Sequence, residues 1–196
     1  MANRVKPQAG KRNDVRALRP YFSGGDRRSI TRSNRARELV RRDPRLVPQI
    51  AALAGDEDWL VSMRAMDLLE KLAHDQPDWI EPHKHLFIGP LADSDKWEIR
   101  LQIVRALPLF QWTPKEKTRV LEILRRNVDH PQTFVRAWAL DSLATFAKGD
   151  SSLLPDVRRH LLQCERSGSK ALAARARRIR ERLAAPKSSS LKKQKF

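Results

Sequence analysis

The sequence predicts an all-α fold, a right-handed α-α superhelix of about four to five helix pairs. Two observations carry this expectation. Apolar residues recur at the three- and four-residue spacings of a helix face, and the whole pattern returns every 36–38 residues. A fixed period in this range marks a solenoid, in which each pair is too small to bury its own apolar face and neighbours supply the core.

The clearest first helix lies in TFVRAWALDSLATFA, where Val135, Ala139, Leu143 and Phe146 share one face. Ile99, Ile103, Leu107 and Phe110 occupy the same slots one copy earlier, and Val61, Ala65, Leu69 and Leu72 two copies earlier. An aromatic opens each copy: Trp59, Trp97 and Phe134. Trp59 and Trp97, at equivalent slots, are expected to pack between repeats. Trp138 lies one position from the inward face, open either to packing at its edge or to the surface. In the last copy Leu172, Ala176 and Leu183 keep the register, and Arg180 breaks it.

Taken in order, residues 1–13 are polar and basic and are expected to be a disordered arm. A repeat domain is expected over 14–185. Its opening segment, 14–22, suits a short amphipathic capping helix with Val15, Leu18 and Phe22 on one side. Ser23-Gly24-Gly25 reads as a turn, and Asp26 as the cap of the next helix. Copy one, 26–55, is degenerate, with Ala36, Leu39 and Val40 as its buried positions. Copy two, 56–94, ends in PDWIEPHKHLFIGPLA, whose three prolines predict a broken second helix.

Copy three, 95–130, has the best-marked second helix. Thr113-Pro114-Lys115-Glu116 forms a capping box with proline at the first helical position. Val120, Leu121, Leu124 and Val128 then face inward, as do Leu154, Val157, Leu161 and Cys164 in copy four, 131–168. A single final helix is expected over 169–185, and a disordered basic tail over 186–196.

Val135-Arg136 followed by Ala139 and Ser142-Leu143, and Ile99-Arg100 followed by Ile103 and Ala106-Leu107, resemble the HEAT-repeat pattern. Pro108 within the first helix fits that resemblance, whereas Ser62 departs from it in the arginine slot. The resemblance spans roughly residues 26–185. It implies that the second helices line a concave, partner-binding face. On that face Arg119, Arg126, Arg159 and Arg166 would form a basic track with acidic interruptions, which suits a protein partner. Along the final helix Arg175, Arg178 and Arg182 share a second basic face, and the tail adds Lys187, Lys192, Lys193 and Lys195.

The formal net charge is +17, unevenly placed: residues 56–95 carry −7 and residues 151–196 carry +10. Such asymmetry points to an anionic partner at the basic ends, or to head-to-tail self-association through the acidic second copy. The first expectation is therefore a non-enzymatic interaction scaffold for a protein, monomeric and cytoplasmic. The alternative is a nucleic-acid binder using the basic end helices. A family of DNA glycosylases that remove alkylated purines is also built of HEAT-like repeats. Resemblance to it would make Asp67 or Asp141 the candidate carboxylate in alkylation repair. The family's tryptophan-rich run ending in aspartate is missing here, and the two aspartates read more simply as inter-repeat salt-bridge partners.

The single cysteine, Cys164, excludes an internal disulfide and reads as a small core residue. His83 and His85 form the one close histidine pair and read as solvated. No apolar run approaches the ~20 residues a bilayer requires. No phosphate loop, nucleophile elbow or metal-ligand spacing occurs, so no cofactor, metal or membrane partner is expected.

Overall fold

The computed structural model describes residues 17–26 and 32–185, so the expected arm and tail lie outside the described residues. All regular structure among the described residues is helical. The chain divides into two units, Met1–Leu91 and Ala92–Phe196.

The first unit holds α1 (Ser33–Arg42), α2 (Val47–Leu53), α3 (Trp59–Asp75) and α4 (Pro77–Ile80). Val61, Ala65, Leu69 and Leu72 of α3 are all buried, as the repeat register requires. Asp58 caps α3 by accepting from the Leu60 amide at 2.9 Å. The buried Ser62 hydroxyl donates to the Ala54 carbonyl at 2.7 Å and fixes the end of α2 on α3. The expected break after Pro77 is present: α4 has four residues and continues as the 3-10 helix Glu81–Phe87. Proline there lacks the amide that an α-ladder needs.

Two expectations at the start of the chain fall partly outside the described residues. Within the expected capping segment 14–22, residues 14–16 lie outside the described residues, and Arg19–Tyr21 forms a 3-10 turn that carries Pro20. Leu18 and Phe22 are buried on it as expected, while Val15 lies outside the described residues. α1 starts at Ser33 after Arg32, and the residues that directly follow Asp26, where its expected cap falls, lie outside the described residues. What anchors this segment is Arg64 of α3, which is 5% exposed. Its guanidinium donates to the carbonyls of Phe22 (2.5 Å), Gly24 (2.8 Å) and Asp26 (2.6 Å). Those carbonyls converge because Gly24 and Gly25 both take positive φ, 77° and 69°, which residues with a Cβ rarely adopt.

The second unit holds α5 (Trp97–Ala106), α6 (Pro114–Asn127), α7 (Thr133–Ala147), α8 (Leu154–Arg166) and α9 (Lys170–Ala184). First helices α5, α7 and α9 lie side by side; α6 packs on α7, and α8 on α7 and α9. Ser142 of α7 donates to the Val104 carbonyl of α5 at 2.5 Å, and Ala106 and Ala139 are fully buried. Small residues let these two helices approach closely.

Pro108 is not inside the first helix. The α-helix stops at Ala106, and the chain continues as the 3-10 turn Leu107–Leu109. Leu107 still reaches the core. The capping box at α6 forms: Glu116 Oε2 accepts from the Thr113 amide at 2.9 Å, and Thr113 Oγ1 accepts from the Glu116 amide at 3.3 Å. Within α6, Ile123 is buried and Leu121 only half-buried, so the inward face is rotated slightly from the expected one. Phe134 does not pack as its opener slot suggests; it is 62% exposed.

Candidate partner-binding surface

The arginines of the second unit fall into two groups, according to whether an acidic residue already uses their charge. Asp93 is the first collecting point. It accepts from Arg119 at 2.8 Å and pairs closely with Arg126, which also donates to the Ala92 carbonyl at 2.8 Å. The Arg126 and Arg119 guanidiniums hold the Asp93 carboxyl below the usual carboxylate range. Both arginines thus tie α6 to the turn that precedes α5.

Asp156 is the second. It accepts from Arg125 of α6 at 2.9 Å and from Arg159 at 2.5 Å, with His160 Nε2 3.4 Å away. Burial pushes this carboxyl up, but the hydrogen bonds from Arg125 and Arg159 outweigh it, and it stays below its ordinary value. Three of the four arginines expected on the second-helix track are therefore internally paired. The fourth, Arg166, is exposed and has no ion-pair partner among the described residues.

Asp141 is the third. From α9, Arg182 donates to the Asp141 carboxylate at 3.1 Å and to its carbonyl at 3.0 Å, and Arg175 lies 3.8 Å from the other oxygen. Asp141 is thus an inter-repeat partner. Asp67 is not; it binds Lys71 of its own helix at 2.6 Å. Trp138, one turn before Asp141, is flanked by cations from both neighbouring first helices. The guanidinium carbons of Arg175 and Arg105 lie 4.1 Å and 5.0 Å from its ring centroid. On the other side of α9, Arg180 makes a forked contact with Glu165 of α8 at 2.9 and 3.0 Å.

Arg175 and Arg182 thus face α7, and Arg178 stands apart from them, exposed. Arg158 and Arg166 of α8, and Lys170, Arg177 and Arg178 of α9, are exposed without ion-pair partners among the described residues. Leu162, 46% exposed, sits four residues from both Arg158 and Arg166, so the three form one stripe along α8. Sequence reasoning missed Arg158 and Leu162. The signal was present as Arg158-x-x-x-Leu162-x-x-x-Arg166 outside the inward register.

Cys164 is buried, and burial pushes its thiol up, away from the reactive thiolate. His83 is half-buried rather than fully solvated, and burial, then the neighbouring His85, holds its imidazole below the usual value. Among the described residues no group of three or more His, Cys, Asp or Glu is placed to hold a metal ion. No helix among the described residues is long and apolar enough to cross a membrane.

No protein-family model and no curated protein matches the sequence. Solved structures match the fold. An engineered protein from a structural-genomics programme aligns at TM-score 0.59 and 20% identity, over 88% of this chain and 74% of that one. A second engineered protein aligns at TM-score 0.58 and 18% identity, over 87% and 79%. A designed armadillo repeat protein, solved in complex with the peptide (KR)4, aligns at TM-score 0.56 and 15% identity, over 86% and 73%. In fold the chain is an armadillo-type helical-repeat solenoid. At these identities the likeness shows the fold alone and not membership of the HEAT family.

Proposed function

We propose that the chain is a non-enzymatic binding scaffold that holds a protein partner on α8, through Leu162 flanked by Arg158 and Arg166. The observation that carries this is an exposed leucine between two guanidiniums with no ion-pair partner among the described residues, on a helix packed against α7 and α9. An apolar anchor ringed by polar residues is the ordinary anatomy of a protein interface. Arg119, Arg126 and Arg159 stand outside this contact, their charge already shared with Asp93 and Asp156. The complementary partner is a segment with an apolar residue set among carboxylates.

The glycosylase reading is disfavoured by the same geometry. A carboxylate that stabilises a cationic sugar must be free to do so, and Asp141 already accepts from Arg182. The ring of Trp138 is occupied by Arg175 and Arg105, which leaves little open face for a base.

The test is co-purification from an extract of the source cell, followed by affinity measurement with the purified partner. Leu162→Glu should weaken binding at least tenfold, about 1.4 kcal/mol, at an unchanged melting temperature. An unchanged set of captured proteins and unchanged affinity would remove α8 as the site.

A further inference from the structure

We propose that the solvent face of α9 is a separate site, one that binds a nucleic-acid backbone through Lys170, Arg177 and Arg178. It uses different residues from the protein site on α8, and each can fail without the other.

Three observations lead there. The first is how α9 is held. It buries Leu172, Ala176 and Ile179, is tied to α7 by Arg182 and Arg175 on Asp141, and is tied to α8 by Arg180 on Glu165. Those three arginines position the helix. The second is what remains. Lys170, Arg177 and Arg178 point to solvent with no partner among the described residues, and Glu181 is the one acidic residue in α9. The segment that follows, PKSSSLKKQKF, adds four lysines and no carboxylate.

The third observation chooses between anionic partners. The large apolar side chains exposed among the described residues are Phe134 and Leu162, and neither is on α9. Between its free cations α9 presents Ala171 and Ala174. A protein interface needs an apolar centre, and this face has none. A phosphate backbone needs only positive charge that can approach closely, and small alanines allow that approach. Lys170 and Arg177 are seven residues apart, about 10 Å along the helix, a span that crosses more than one phosphate. The site reads charge and carries no group that would read bases, so binding is sequence-independent.

The experiment measures the affinity of the full chain for a labelled mixed-sequence duplex of about 20 base pairs at several salt concentrations. The three cations contribute a log–log salt slope of about −2.7. Arg177→Gln/Arg178→Gln should make the slope shallower by about 2 and weaken binding roughly tenfold or more at ~50 mM salt. Leu162→Glu should shift neither by more than the change in net charge requires, which separates this site from the one on α8. No binding at ~50 mM salt, or a double variant with the wild-type slope, overturns the proposal. So does displacement of the duplex by polyglutamate at equal charge concentration, because the face would then favour an acidic polypeptide no less than a nucleic acid.

Discussion

Leu143 and Arg64 show two ways in which one side chain holds this fold. Leu143 is fully buried in α7, at a slot that three copies fill with large aliphatic residues. Leu143→Ala should cost about 2–5 kcal/mol, since the packed helices around it close only part of the cavity. A thermal melt within a degree of wild type would show the slot is not core. Arg64 works through hydrogen bonds, and truncating it removes the donor it supplies to three main-chain carbonyls. Leu143 was legible from spacing alone. Arg64 was not: its partners are main-chain atoms, and they meet the guanidinium only after two positive-φ glycines have turned the chain back on α3. Charge pairs also set a pH dependence. Asp75, Asp93 and Asp156 all titrate below their ordinary value in the folded state. As pH falls below about 4 the unfolded chain therefore takes up protons before the folded one, and stability falls. Melting temperature should decline modestly below about pH 6.5, where His83 takes up its proton in the unfolded chain first, and drop further below about 4. A flat profile to pH ~2 would show that these pairs contribute nothing.

At the scale of elements, α9 carries the argument. Its register follows from Leu172, Ala176 and Ile179, and the sequence alone placed it correctly as a final single helix. The sequence did not reveal that its basic residues divide into a paired group and an exposed one. Arg175 and Arg178 look alike on a helical wheel, yet one lies against Trp138 and Asp141 and the other in solvent. That difference depends on where α7 sits, which spacing within α9 does not contain. Asp141→Ala should release Arg182 and Arg175 together. The pairs are partly exposed and screened, so the loss in global stability should be modest, about 1 kcal/mol. Its location should be specific: amide exchange should speed up in α9 while α6 is unchanged. Uniform exchange across both helices would contradict the assignment of Asp141 as the tie that holds α9. The broken second helix after Pro77 is the opposite case, legible because proline acts on its own neighbours. Pro108 shows the limit of that rule. The residue forbids an α-hydrogen bond, but whether the helix kinks or ends in a 3-10 turn is set by packing around Leu107.

Across the whole molecule, charge is divided between the units. Residues 1–91 hold seventeen Lys and Arg against twelve Asp and Glu, and residues 92–196 hold twenty-three against eleven. An anionic partner is therefore drawn to the second unit, at a rate that falls with salt. Repeat folds serve many tasks, and the likeness to designed repeat proteins settles architecture only. The two proposals share one division of labour: arginines paired among the described residues hold neighbouring helices together, and the exposed, unpaired ones are the proposed contacts to a partner. The most direct measurement compares two charge reversals on one helix, Arg182→Glu and Arg178→Glu, by thermal melt and duplex affinity. Arg182→Glu should lower the melting temperature by several degrees, and Arg178→Glu should leave the melt unchanged while weakening duplex binding about tenfold. Two variants with the same melting temperature and the same affinity would contradict it.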